Sequence, residues 1–426
     1  MAELKYDKKT GRLLFTKEMA KEYTIIAPEI LPVTAAMLIK LMEIEGGYHV
    51  ELQTNQSKKV IETGLKYVHN DMCYPAILSI GQLIEAVESG RYDAHKVALM
   101  ITQSGGGCRA SNYIHLLRKA LERAHLEFIP VISLNLSGLD KNPGFKMTLG
   151  LARKAVFAMM YGDLIVHLAN QCKPYEVHAG ETDALVNHWI EKIVDLFQKN
   201  EGLWFGPMRR LMEEILSDFK KIERSGPAKP RVGVVGEIYV KYSPFGNNNL
   251  EAFLLKEGAE VVVPGVTDFL LFKGNNRYVD VDLYGGSKIK KGAMWVYQWF
   301  IIKCQDIMID VIEKDGTFRA MSHFSELQEL VKGYLGCGNK MGEGWLLTAE
   351  MLELIHSGTN NIVCTQPFGC LPNHVAGKGM MRKLKDDYPS SNIVAVDYDP
   401  GATKINQENR IKLMMANAAR MEQKNE

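Results

Sequence analysis

A chain of 426 residues, 46% of them hydrophobic, has material for two or three domains of roughly 150 residues each and can fill proper cores. Its 51 Lys and Arg against 50 Asp and Glu leave a net charge of +1, so no global field recruits nucleic acid or an anionic membrane. The charged start MAELKYDKKTGRLLF lacks a signal core and no apolar run approaches the roughly 18 residues of a membrane span, so a cytoplasmic protein is expected.

In chain order, TIIAPE reads as a short strand, ILPVTAAMLIKLMEIEGG as a helix stopped by glycine, and YHVELQT as a second strand. The strand-helix-strand pattern recurs as HKVALMITQ, ASNYIHLLRKALERA and EFIPVISLNL. It returns as RVGVVGEIYV, LEAFLLKEGA and EVVVPG, and again as NNIVCTQP, VAGKGMMRKLKDDYP and NIVAVDYD. This alternation implies parallel sheets covered by helices on both faces.

A long helical stretch, ETDALVNHWIEKIVDLFQKN and GPMRRLMEEILSDFKKIE, precedes RSGPAKP, which reads as a linker. The expected organisation is an N-terminal α/β domain with a helical extension over 1–228 and a C-terminal α/β domain over 229–426. MWVYQWFIIKCQDIMIDVIEKDG is a further helical segment, and a polar tail begins near Asn417.

Seven cysteines, an odd number, argue against a disulfide framework and for free thiols, metal ligands or both. In open parallel sheets ligands bind beyond the carboxyl ends of the strands, where the following helices begin. Cys108 in QSGGGCRASNY and Cys370 in QPFGCLPNH follow strands and precede helices. Cys73 in DMCYPAIL precedes a helix with proline in its first turn, and Cys337 in LGCGNKMGEGW lies on a glycine-rich loop ahead of a helix.

Helix starts favour thiolate over thiol, and glycines beside Cys108, Cys337 and Cys370 free backbone amides to meet sulfides. Soft thiolates select iron-sulfur clusters, zinc or copper(I). No paired CxxC spacing is present, so a site dispersed over distant loops at a cleft between two domains competes with simple burial of each thiol. Cys304 reads as a buried helix residue, Cys364 as strand core, and Cys172 as a helix-terminal residue.

Other candidates carry less. GGGC lacks GxGxxG, GxxxxGK[ST] is absent, and a tight turn explains it. GNNRY and SPFGNNN resemble polar turns, the second placed where asparagines can meet a ligand. His374 reads as a proton donor or a solvated helix start, and Asp397 and Asp399 as hydroxyl binders or turn caps.

The segments CYPA at Cys73, GGGCRASNY at Cys108, GEGWLLTAEM from Gly342, QPFGCLPNH at Cys370 and NIVAVDYDPGATKINQENRIKLMMANA from Asn392 resemble the 2-hydroxyacyl-CoA dehydratase superfamily. More closely, they are similar to the iron-sulfur module associated with acyl-CoA dehydratase activases, over about Tyr23 to Ala418. The resemblance implies two flavodoxin-like, Rossmann-like domains with a 4Fe-4S cluster in the interdomain cleft, held by Cys73, Cys108 and Cys370.

On the same resemblance Cys337 is a fourth ligand or, with Cys364, part of a double-cubane 8Fe-9S site like that of a related branch of ATP-driven small-molecule reductases. It implies a partner too: an ATP-hydrolysing activator with its own iron-sulfur cluster, since this chain has no DxGxT-like nucleotide motif. The activator's low-potential electron would enter a 2-hydroxyacyl-CoA thioester, giving a ketyl radical anion that expels hydroxide and later returns the electron. A related second subunit or a homodimer accompanies this chemistry in the family, and a non-catalytic electron-transfer role is the remaining expectation.

Overall fold

Short runs rich in Val and Ile, separated by amphipathic helices, build two sheets of the same topology in this computed structural model, which describes residues 3–104, 106–134 and 142–425, with side chains to 418. After a small antiparallel hairpin, β1 (Lys5–Tyr6) with β2 (Leu13–Leu14), the first sheet comprises β3 (Thr24–Pro28), β4 (His49–Gln53), β5 (Val97–Thr102) and β6 (Val131–Leu134). The second comprises β7 (Arg231–Gly236), β8 (Glu260–Val262), β9 (Asn361–Pro367) and β10 (Asn392–Tyr398). The expected continuation of β6 to Leu136 lies outside the described residues.

Both sheets are four-stranded and wholly parallel, in the orders β4-β3-β5-β6 and β10-β9-β7-β8. Numbered within its own half, each sheet therefore runs 2-1-3-4, the flavodoxin-like order, and reverses direction between its first and third strands. Register places Ile25 between Val50 and Ala98, and Val234 opposite Val363. The α/β class with two parallel-sheet units and a helical connection is as expected.

Local chemistry accounts for the element ends. The helix Pro32–Gly46 begins at proline and closes on Gly47, which adopts φ +64° and donates its amide to Glu43 O. The helix Tyr74–Glu88 starts at Cys73 and is buried along nearly its whole length because it serves two cores. Ile77, Ile80, Leu83 and Ile84 pack beneath the first sheet, whereas Tyr74 and Leu78 pack with Val232 and Val234 of the second.

The helices Leu149–Cys172, Glu181–Gln198 and Phe205–Lys220 connect the sheets. They share one apolar core with Val266–Tyr284 and Lys288–Asp315, which the second half inserts between β8 and β9. Trp189, Phe219, Phe272 and Trp345 are wholly enclosed there. The helical extension is thus a joint layer of both halves. Among the described residues no helix is long and apolar enough to cross a membrane.

One expectation needs correction. GNNRY is not a turn but the middle of the helix Val266–Tyr284: a Cβ on Gly274 would stand 3.1 Å from the Tyr297 ring, so the missing side chain lets two helices approach. The polar tail from Asn417 continues the helix Lys404–Asn425.

Candidate functional site

The switch points of the two sheets hold corresponding thiols. Cys108 follows β5, the third strand of the first sheet, and Cys370 follows β9, the third strand of the second. Each precedes a helical turn, Arg109–Asn112 in one case and the segment from Leu371 in the other. Cys73 is the residue before Tyr74–Glu88, with extended φ −63° and ψ 146°. Gly105 of the QSGGGC loop lies outside the described residues.

Three contacts lock these loops together. The Tyr74 amide donates to Phe368 O at 2.9 Å, tying the Cys73 turn to the Cys370 loop. Gly369 sits at φ +71°, and a Cβ there would lie 3.1 Å from Cys73 Cα and 3.3 Å from Arg109 Nη1. That guanidinium, one residue after Cys108, donates to Asp71 O at 2.6 Å. The GEGW segment closes the far side: a Cβ on Gly107 would strike Met341 Sδ, and one on Gly342 would stand 2.9 Å from Pro372 Cγ.

Cys73 and Cys370 are buried and Cys108 is half-buried. Burial pushes the Cys73 thiol up to about 11, and the charges of Glu237 and Cys108 push the same way, although Cys73 Sγ lies 3.0 Å from Tyr113 Oη, a contact that favours thiolate. Burial raises Cys370 more strongly, helped by Glu237, Glu343 and Cys108. Burial also raises Cys108, with Ala110 NH and Lys273 acting against it. The three thiols therefore share one electrostatic environment and stay protonated at neutral pH unless a cation compensates them.

Two carboxyl groups complete that environment. Glu237 follows β7 directly, across the switch point from Cys370, and accepts Val240 NH at 3.0 Å. Burial and the neighbouring Glu343 raise it to about 8. Glu343 accepts Ile238 NH at 3.2 Å and is also raised by burial, while Lys273 and Lys241 favour its charged form. Lys273 donates to Gly342 O, and burial pulls its ammonium below the usual range.

Glu237, Glu343, Lys273 and Tyr113 were not expected as site residues. Glu237 alone carries a signal in the sequence, since it stands directly after RVGVVG, the first strand of the second sheet, where ligands gather.

The fourth expected thiol stands apart. Cys337 is partly buried beside Tyr334 and Leu335, and its charged influence comes from Lys332, not from any other thiol. Cys364 lies in β9 within the core, its Sγ 3.6 Å from Asn373 Oδ1, and Cys304 is buried within Lys288–Asp315. Cys172 ends its helix with Sγ 3.7 Å from Phe219 O. Burial raises each of these last three thiols to about 12, as suits inert core cysteines.

The remaining candidates are absorbed by local structure. Asn247 caps Leu250 NH and bonds Val240 O, in a turn that follows the helix Ile238–Tyr242 and not a strand. Asp399 accepts Gly401 NH, Asp397 pairs with Lys378 and Arg410, and His374 Nδ1 lies 2.9 Å from Cys370 O.

Among the described residues no group of three His, Cys, Asp or Glu side chains is set to hold a metal ion. No protein-family model and no curated protein matches the chain.

Proposed function

We propose that this chain is the iron-sulfur component of a 2-hydroxyacyl-CoA dehydratase-like system, with Cys73, Cys108 and Cys370 holding one 4Fe-4S cluster between the two sheets. The observation that carries this reading is the interlock at Gly369, which stacks the loops of all three cysteines without room for a side chain. Three of the five segments that resemble the superfamily, CYPA, GGGCRASNY and QPFGCLPNH, make this contact.

The donor set fits such a group. Thiols that burial keeps protonated would give up their protons to solvent as their sulfurs bound a soft, positively charged iron core, and enclosure by loops from both sheets limits water. When bound, the cluster would supply an electron and an open iron position. Glu237, whose carboxyl burial and Glu343 push up, would be the group to hold and move a proton during loss of water. Lys273 supplies the nearby positive charge.

A cytoplasmic ATP-hydrolysing activator with its own cluster is the electron source on this reading, and an acyl-CoA is the substrate. The separate surroundings of Cys337 and Cys364 favour this single cluster over a double-cubane reductase.

Anaerobic purification with iron and sulfide analysis tests the proposal. About four irons per chain, with visible absorption lost in Cys73→Ser, Cys108→Ser and Cys370→Ser, support it; about eight irons point to the reductase. Zinc alone after iron-replete anoxic expression would sink both. Turnover of a 2-hydroxyacyl-CoA on adding activator and ATP separates the lyase from an electron carrier.

A further inference from the structure

A cavity of about 440 Å³ lies apart from the thiols. It lies between the first turn of Pro32–Gly46, the middle of Leu149–Cys172 and the start of Val266–Tyr284, and none of the cysteines lines it. That volume is within the range of small-molecule sites.

Its wall is acidic and short of partners. Asp163, Asp183, Glu251, Asp268 and Glu353 line it, against Lys173 and Arg319. Both cations are already engaged, Lys173 with Asp183 at 2.5 Å and Arg319 with Glu260. Asp163 is satisfied by the Val266 and Thr267 amides and the Thr267 hydroxyl. Glu251, Asp268 and Glu353 receive only neutral donors, from Asn170, Gln305 and Ser322. Burial holds His167 below its ordinary value, so it adds no positive charge near pH 7.

A second observation points to a ligand. Thr34 and Thr359 line the cavity and are 3% and 1% exposed. Among the described residues neither hydroxyl has a hydrogen-bond partner, yet neither belongs to the polar atoms sealed away from open space. Both residues line the cavity, and their hydroxyls are free to bond what enters it.

We propose that this cavity binds a small organic cation, an amine or guanidinium compound, whose charged end sits among Glu251, Asp268 and Glu353 and whose N–H groups reach Thr34 or Thr359. An extended organic cation with several N–H donors suits carboxyls spread along one wall. Burial raises all three carboxyls, and the charge of Glu353 adds to the rise at Asp268.

Calorimetric titration of the full chain with 1,4-diaminobutane, and with succinate as an anionic counterpart of similar length, tests this without reference to iron or activity. The diamine should bind, at least about tenfold more weakly after Asp268→Asn with Glu251→Gln. Val166→Trp, which enlarges a half-buried side chain of the wall, should abolish binding while circular dichroism stays native. No diamine binding, undiminished binding in these variants, or preference for succinate would overturn the assignment.

Discussion

The amide of Tyr74 and the carbonyl of Phe368, 294 residues apart in the chain, meet in a hydrogen bond of 2.9 Å that joins the two halves beside their buried thiols. Next to it, Gly369 holds φ +71° against the Cys73 backbone. A Cβ at this position meets backbone, which cannot swing aside as a flexible side chain can. Gly369→Val should therefore lower stability by at least about 1–2 kcal/mol from the left-handed conformation alone. It should also reduce iron bound per chain. Urea unfolding and iron analysis of the same preparation check both, and a variant with unchanged iron would separate the interlock from the cluster.

The thiols divide by their surroundings, and substitution should follow that division. Cys73→Ser, Cys108→Ser and Cys370→Ser each remove a soft donor from one shared environment, so each should lose most visible absorption and bound iron. Cys337→Ser, whose thiol answers only to Lys332, should keep both. Cys304→Ser puts a hydroxyl in a closed core and should cost about 1–2 kcal/mol with the iron unchanged. Equal iron loss in Cys337→Ser would return that residue to the ligand set.

Much of this arrangement was legible in the chain, and the illegible parts share a cause. Alternation of Val- and Ile-rich runs with helices exposes both sheets, and position after a strand picks out Cys108 and Cys370, because the period and the chain order are local facts. Glu343, Lys273 and Tyr113 escape the same reading because nothing local marks them, and Glu237, though it follows a strand, gives no local sign of its charge state. An isolated Glu or Lys gains its meaning from burial and from neighbours brought by folding. GNNRY misleads for the complementary reason. Gly and Asn weaken a helix, but packing of Gly274 on Tyr297 outweighs that propensity.

Lys241 and Glu350 form an ion pair of 2.8 Å with side chains only 5% and 3% exposed, beneath the second switch point. Removing one partner leaves the other charge buried alone, so Lys241→Met should destabilise by about 3–5 kcal/mol. The double variant Lys241→Met with Glu350→Leu should recover most of that loss, since desolvation offsets much of the attraction in such pairs. A double-mutant cycle in urea gives the coupling; a double variant as unstable as the single one would mean that the pair organises the fold around it, beyond its own interaction.

Asp268 gives the chain a pH dependence of predictable sign. Burial first, then the charges of Glu350, Asp163 and Glu353, raise it from 3.8 to about 8, against the hydrogen bond from Gln305. The folded state therefore holds a proton that the unfolded state has released throughout that window. Its contribution is full below the unfolded value and lost as pH rises through the folded one. Other buried carboxyls, Glu251 and Glu353 among them, slope the same way and remain in both proteins being compared. His167, held below its ordinary value of 6.5, slopes the opposite way, but only in the acid part of the range. Asp310, held low by Lys314 and Arg209, finishes titrating below it. Urea midpoints of wild type and Asp268→Asn should therefore diverge as pH rises from about 5 to about 8, the wild type losing more. Parallel curves would mean that Asp268 is ionised in the folded chain and already has a cationic partner.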